Sequence, residues 1–464
     1  MTNDPEPTLI PESEVVDFLV VGAGGGLAGA IRAAQLGLSV VVVDRSEHFA
    51  TGNNTSMSTA MIPGAGSRWQ RQENLDDSPE RFLRDVQIKT KDTANKKVAL
   101  ALTAVSARLV EWLADYVELD LSLVTDFDYP GHSVWRCHTV PDRSGRTLLS
   151  GLIAAARKEP NIEFLVPAKL VEIEINPQGF YSVSVETPNG MERIVAKGLL
   201  LAANGFGANK KLVSQHIPQI ADAHYYGGEG STGDAISLAT KLGAAVEQLD
   251  AYQGHAALAM PAATLVGWAT VMHGGFLVDA SGNRFGDESV GYSEYAETVL
   301  KEAGGKAWLV IDKRVNDACM SFKDYKDTVE SGTIRWAHDA KELAEKIGID
   351  PDGLVNTVQE TRKVASGEIA DRFGRTHWEA PLGGELGAVA VSPALFHTQG
   401  GLSVNDHAQV LNSIGNPIEG LYASGGSAVG MSGAGASGYI AGNGLLSALG
   451  LAFLAAENFA ERVN

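Results

Sequence analysis

Two cysteines, Cys137 and Cys319, are all that 464 residues contain. That is too few for a disulfide scaffold or a thiolate zinc site. The histidines fall in no ligand spacing either, so no metal is expected. Basic residues are scarce: 37 Lys and Arg stand against 56 Asp and Glu, a formal net charge of −19. A chain this acidic has no general attraction for nucleic acid or for an anionic membrane. The most apolar stretch, residues 445–456, is too short to cross a bilayer, and no membrane insertion is expected. Residues 1–14 are acidic and proline-bearing and lack the basic and apolar regions of a secretory or transit peptide. A cytoplasmic location is therefore expected.

Glycine, by contrast, is abundant, at 52 residues, without a collagen period. Such usage points to tight turns and to backbone that comes close to a ligand. The apolar run 15–21 reads as a buried parallel strand, 27–36 as a helix and 38–44 as a second buried strand. Gly22-Ala23-Gly24-Gly25-Gly26 sits where the first strand meets its helix. Glycines there let a pyrophosphate reach the helix N-terminus, and Asp44 at the end of the second strand can accept bonds from a ribose diol. Leu27 occupies the usual third-glycine position, so the loop reads as shortened by one residue, with Gly26 as the third glycine. The set as a whole predicts a dinucleotide-binding βαβ unit.

Farther along, residues 79–116 read as an amphipathic helix, 149–158 as another, and 162–196 as short strands with a turn at Pro188-Asn189-Gly190. Residues 199–203 return to a buried parallel strand. Polar helices over 316–330, 340–345 and 354–364 mark a change of texture, and short glycine-bounded strands resume at 400–404 and 420–423. A small-residue helix over 437–456 closes the chain. The simplest organisation is one α/β domain, 1–249 and 395–464, interrupted by an inserted α+β domain, 250–394.

Four further motifs identify a family. Asn53-Asn54-Thr55 resembles the Gly-Asn-Thr/Ser loop of the fumarate reductase flavoprotein superfamily. Leu201-Ala202-Ala203-Asn204-Gly205-Phe206-Gly207 resembles its L-A-T-G-G-F-G segment, and Thr232-Gly233-Asp234-Ala235 its T-G-D-G/A. Pro417-Ile418-Glu419-Gly420-Leu421-Tyr422-Ala423-Ser424-Gly425 resembles P-I-x-G-L-Y-A-A-G. The resemblance implies a Rossmann-like FAD-binding domain with an inserted capping domain that serves the substrate. It places cofactor contacts at Gly22, Ala23, Gly24, Gly26, Asp44, Arg45, Asn54, Thr55, Ser58, Ala168, Ala203, Asn204, Asp234, His397, Gly425, Ser437, Gly438 and Ala441. No histidine stands at 53–59, where covalent attachment occurs in succinate dehydrogenase relatives, so the FAD is expected to be non-covalent. Gly426 replaces the Glu or Asn that usually follows A-A-G, which removes one polar flavin contact.

Within the superfamily the pattern leans to one branch. Arg284-Phe285-Gly286-Asp287-Glu288-Ser289-Val290-Gly291-Tyr292 resembles the R-F-x-N-E-S-L-P-Y of 3-ketosteroid Δ1-dehydrogenases, whose tyrosine is the catalytic base. Fumarate reductases place a proton-donor arginine where Tyr292 stands. Their second clamp arginine falls on Ala436 and their acidic relay residue on Trp268. Gly435 matches the glycine whose N–H binds the ketone oxygen, an oxyanion-hole role. The partner tyrosine of that hole is replaced by Met431, with Tyr129, Tyr439 and Ser432 as candidate substitutes. His255 and His397 match two substrate-facing histidines. Arg136, His138 and Arg143 could serve a carboxylate, or be solvated surface charges.

The resemblance thus implies an α,β-desaturase of a cyclic ketone, such as an oxocyclohexane derivative or a 3-ketosteroid, passing electrons to an unidentified acceptor. Tyr292 and Gly435 would be catalytic, with His255, His397, Trp268, Tyr129 and Met431 at the substrate. The alternatives are an ene-reductase of an activated C=C bond and, in another class, a non-catalytic binding protein on the same fold.

Overall fold

The computed structural model describes residue 11 and residues 14–129 and 131–463. All but two residues of the acidic 1–14 stretch therefore lie outside the described residues. The described chain divides into two compact units: the described residues of 1–212, 227–251 and 397–464 form the first, and 213–226 with 252–396 form the second.

The first unit is built on an eight-stranded sheet. The apolar strand Val16–Val21 lies in its middle, parallel to Val40–Val43 on one side and to Gly190–Leu201 on the other. Ile162–Leu165 extends the sheet beyond Val40–Val43, and Pro417–Ala423 beyond Gly190–Leu201, both in parallel. The segments read as separate strands at 193–196 and 199–203 are one strand. Its first half pairs antiparallel with Tyr181–Thr187, and its second half pairs parallel with the first strand. Burial follows the change of partner, because the antiparallel end is exposed on one edge while Leu199, Leu200 and Leu201 are completely covered.

Helix ends differ from expectation where capping overrides hydrophobic period. The expected helix at 79–116 is two, Pro79–Thr90 and Lys96–Asp115. Lys91 and Asp92 take positive φ, and Asn95 caps the second helix by accepting from Lys97 and Val98 N–H. The final helix starts later and ends later than expected, at Asn443–Val463. Gly442, at φ 80°, holds the chain out of helical geometry, and a Cβ there would lie 2.7 Å from the Pro63 ring. At the far end Glu457 is held by Arg32 at 2.7 Å and Arg108 at 2.8 Å, which carries the helix past its apolar stretch. This helix packs on Gly26–Gln35 through small residues. A Cβ on Gly25 or Gly29 would come within 2.6 Å or 2.8 Å of Ala448 or Ala452.

The second unit carries a seven-stranded sheet in which Tyr252–Ala259 and Ala307–Asp312 flank Leu386–Thr398. Helix Tyr292–Ala303 packs on Tyr252–Ala259. The helix expected at 316–330 is broken into Lys313–Cys319 and Lys323–Glu330. Beneath the loop that leads into Tyr292 lies a buried ion cluster. Glu288, fully covered, accepts from Arg284 at 2.6 Å and from Arg375 at 3.4 Å, and from Leu277 N–H at 3.2 Å. Arg284 also binds Asp371 at 2.5 Å, and Arg375 donates to the carbonyls of Val271 and Gly275. Trp378 lies under both guanidinium groups, 4.9 Å and 3.8 Å from their carbons.

Truncating one member of such a cluster strands its partners. Arg284→Met should lower stability by about 3–5 kcal/mol, measured in urea unfolding followed by tryptophan fluorescence. A loss below about 1 kcal/mol would show that the cluster behaves as an exposed ion pair.

Candidate active site

In the first unit the glycine loop makes a close turn against the neighbouring strand. Gly22 has φ 114°, and a Cβ there would sit 2.3 Å from the Ala202 carbonyl oxygen, so only glycine fits. The following helix, Gly26–Gln35, has neither a side-chain cap nor an acidic residue in its first turn. Its end is therefore open to an anion. Asp44 is half-buried; one carboxylate oxygen accepts from Ala23 N–H at 2.8 Å and the other from Ser46 N–H at 2.9 Å. Burial pushes its carboxyl up against the opposing pull of these two bonds.

The other expected cofactor residues gather in the same unit. Thr55 is buried under Gly24, whose Cβ would stand 3.0 Å from the Thr55 hydroxyl. Ser58 donates to the Thr55 carbonyl, Asn54 Oδ1 accepts from Gly228 N–H at 2.6 Å, and Ala168 N–H donates to the Asp44 carbonyl. Arg45 donates to Thr232 Oγ1 at 3.2 Å, and Thr232 to Asp234 at 2.8 Å. Asn204, at φ 66°, donates to Ser231 and caps Gly205 N–H, while Ala203 precedes it half-buried.

This explains two sequence departures together. A Cβ at Gly426 would lie 2.5 Å from Asn204 Oδ1, so the side chain missing at 426 is matched by the one gained at 204. Gly425, at φ 58°, opens the turn after the strand Pro417–Ala423, and Ala441 O accepts from His132 at 2.9 Å. Three fully or almost fully buried polar atoms near this turn and the C-terminal helix have no hydrogen-bond partner: Ser424 Oγ, Asn443 Oδ1 and Ser447 Oγ.

The glycine loop 430–438 folds tightly. A Gly438 Cβ would collide with Ser432 O at 1.7 Å, and Ser437 lies half-buried beside it. Gly435 has φ 66° and nothing within 4 Å of its missing Cβ, so its backbone borders open space. Met431 is fully buried. Ser432 is committed to Gln399 and Asn443, which withdraws it as a substitute for the missing tyrosine. His397 lies 6.0 Å from the Tyr439 ring, edge to face, and the Gln399 amide nitrogen lies 2.8 Å from its Nδ1 and 3.4 Å from its Nε2. Sequence reasoning missed Gln399, whose only signal is its place inside the His397 motif.

Tyr129 packs on Met61, Val124 and Cys137 and edge-on to Phe127, and burial pushes its phenol up. Arg136 and His138 are not solvated charges. Arg136 is 1% exposed and forms a fork on Asp77 with a third bond to Asp85, and His138 binds Ser67 at 2.8 Å. Arg143 is bound to both oxygens of Asp126. Their partners are distant in sequence, which is why the charges looked free.

In the second unit Tyr292, His255 and Trp268 form one aromatic cluster. The His255 ring is stacked 5.1 Å from Tyr292 and 5.3 Å from Phe396, and Trp268 stands edge-on 6.0 Å from His255. His255 Nδ1 accepts from Ala257 N–H at 3.1 Å, and burial pushes the imidazole down to about 3. The cluster is therefore uncharged at neutral pH on the histidine side. Tyr292 is the first residue of its helix, behind Gly291 at φ 107°, where the helix dipole favours negative charge. Tyr295, one turn along, is fully buried with its hydroxyl unpaired, and burial pushes its phenol up.

Comparison with known proteins places these features. The model of the FAD binding domain family matches residues 17–445. The chain is 28% identical over 415 residues to the NADH:fumarate oxidoreductase of Klebsiella pneumoniae, covering 88% of this chain and 44% of that protein. The chain thus spans less than half the length of that relative. A flavocytochrome c3 fumarate reductase structure superposes with a TM-score of 0.80 at 25% identity, over 97% of this chain and 78% of that one. The 3-ketosteroid Δ1-dehydrogenase of Sterolibacterium denitrificans shares the fold, with a TM-score of 0.78 at 20% identity over 97% and 100%. The residues described above fit FAD. Gly22 and the uncapped helix end suit a pyrophosphate, Asp44 a ribose, and the unpaired Ser424, Asn443 and Ser447 a polar ring.

Gly22→Ala should abolish flavin retention while leaving secondary structure intact, read as the visible absorbance that survives gel filtration. Acid sensitivity should arise from four histidines, His138 and His255 buried and His132 and His397 half-buried. Burial holds His132, His138 and His397 at about 4 and His255 at about 3, below the ~6.5 of the unfolded chain. Their contribution is complete above that value and is lost as pH falls, because the unfolded chain takes up protons that the folded one refuses. Each histidine adds a slope of up to about 1.4 kcal/mol per pH unit. Urea midpoints should therefore drop from pH 7 to pH 5, and a flat profile would contradict the assignment.

Proposed function

The chain belongs to the FAD binding domain family, and on that premise we propose that it is an FAD-dependent oxidoreductase acting on a CH–CH pair beside a carbonyl group. The specific reading is desaturation of a cyclic ketone, with Tyr292 receiving the α-proton at its phenolic oxygen. Bound FAD supplies the two-electron acceptor for the hydride that leaves the β-carbon.

One observation carries this reading. Tyr292 stands in an aromatic cluster with His255, Trp268 and Phe396, in which burial keeps the imidazole neutral. Two arginines of the same unit, Arg284 and Arg375, are spent on Glu288 and Asp371 and on backbone carbonyls. Such surroundings suit a neutral ketone better than a dicarboxylate, whose burial needs paired cations. The Gly435 amide, beside open space, is suited to hold an enolate oxygen in the manner of an oxyanion hole.

The second reading is reduction of an activated C=C bond, the same chemistry run in reverse. It is favoured by the fumarate reductases among the relatives and by the two retained histidines. A third, a binding protein without redox work, would be favoured by a purified protein that carries no yellow chromophore.

Anaerobic mixing with cyclohexanone-type ketones or 3-ketosteroids should bleach the oxidised flavin, whereas succinate should not. Bleaching by succinate alone would overturn the ketone reading in favour of the second. Tyr292→Phe should slow flavin reduction by about 10²–10⁴-fold with FAD content unchanged. A near-native rate would remove Tyr292 from the reaction.

A further inference from the structure

His132, in the first unit, is held between one partner that only donates and one that only accepts. Its Nδ1 lies 2.9 Å from Arg136 Nη1, and its Nε2 lies 2.9 Å from the Ala441 carbonyl oxygen. A guanidinium has no lone pair to offer and a carbonyl has no proton. Nδ1 therefore accepts, and the ring proton sits on Nε2. Turning the ring over would set carbons at both places. The Cys137 sulfur, a weak partner, is 3.9 Å from Nε2 and 3.9 Å from the Ala441 oxygen, so it displaces neither bond.

Arg136 is fixed in its place. It forks onto Asp77 through Nε and Nη2, both at 2.8 Å, and its Nη1 also donates to Asp85 at 2.9 Å. Asp77 accepts in addition from Gln70 at 2.8 Å, and Asp85 from the Ser133 N–H and hydroxyl at 3.0 and 2.9 Å. A second proton on His132 would face the guanidinium N–H to N–H. Burial and the Arg136 charge accordingly hold the imidazole down at about 4. On the other side, Ala441 belongs to the turn that joins the glycine loop to the final helix. A Cβ on Gly131, beside His132, would lie 3.1 Å from the Ile440 side chain, and Asn443 N–H donates to the Ile440 carbonyl. Asn443 Oδ1 and Ser447 Oγ, the unpaired atoms suited to the flavin ring, follow directly after this turn.

We propose that His132, fixed by Arg136 as an Nε2–H donor, is a positioning residue for the flavin site: it holds the Ala441 carbonyl, and with it the turn that presents Asn443 and Ser447 to the flavin. Arg136 then has a second use beyond pairing buried carboxylates, since it dictates which nitrogen of His132 carries the proton. The proposal rests on FAD binding by the family and not on the ketone reading, so it stands whichever substrate the flavin serves.

The test joins ¹⁵N-histidine labelling of the FAD-loaded enzyme to two variants, with His132 assigned by its absence from His132→Gln. The expected spectrum shows Nδ1 unprotonated and Nε2 protonated. Glutamine carries a carbonyl oxygen and an N–H on one carbon, spaced like the two ring nitrogens, so His132→Gln can keep both bonds and His132→Leu keeps neither. FAD should leave His132→Leu about 3–10-fold faster than wild type, and His132→Gln within about twofold of it, read as flavin fluorescence regained on dilution of the holoenzyme. A wild-type His132 protonated on Nδ1, or equal losses in both variants, would overturn the proposal. A lowered urea midpoint in His132→Leu with unchanged flavin release would also overturn it, reducing the pair to a structural tie. If His132→Leu does not fold, the wild-type spectrum and the His132→Gln release rate decide. The expected results combined with no bleaching by ketones would leave this proposal standing and remove the ketone reading.

Discussion

Glu288 is a carboxylate with none of its surface exposed, and satisfying it organises the second unit. Two guanidinium groups and one backbone N–H converge on it, from residues 284, 375 and 277. Arg284 and Glu288 are four residues apart, so their pairing closes the loop on itself and fixes where the chain emerges. Gly291 then makes the turn that starts the next helix at Tyr292. The helix that brings Tyr292 to the aromatic cluster around His255 thus starts from a loop braced by these charges. This division separates two demands: strong electrostatics hold the frame, and the cluster it carries is built of aromatic rings. A preorganised site needs such support because loosely held groups lose their geometry first.

The parts of this arrangement that could be read from the sequence are those whose chemistry is local. Gly22 and Asp44 belong to one βαβ unit, and the bond from Ala23 to Asp44 lies within it. The apolar run behind Val16–Val21 needed no distant information either. What escaped depends on partners far along the chain. Arg375 meets Glu288 across 87 residues, and Asp77 meets Arg136 across 59. No periodicity marks such pairs, so Arg136 looked like a surface charge and the role of the 284–288 motif as a brace was hidden. Helix ends failed for a different reason. Hydrophobic spacing runs through 79–116, but positive φ at Lys91 and Asp92 and the Asn95 cap decide the break.

Departures from a family pattern carried information once seen in pairs. Asn204 and Gly426 each looked like the loss of a familiar residue. In space they are one exchange, a side chain given up at one position and supplied from the other. Met431 is different: it is fully buried, and nothing around it explains the change.

The strand Gly190–Leu201 joins two kinds of pairing, and this sets an order on assembly. Its antiparallel half finds Tyr181–Thr187 almost as soon as both are synthesised, since they are neighbours in the chain. Its parallel half can meet Val16–Val21, made long before. Its other edge must wait for Pro417–Ala423, which leaves the ribosome only after the whole second unit. For that interval the central sheet carries an unfilled edge next to three of its most apolar residues, Leu199, Leu200 and Leu201. The insertion that brings Tyr292 therefore also sets how long the nascent chain is exposed to aggregation.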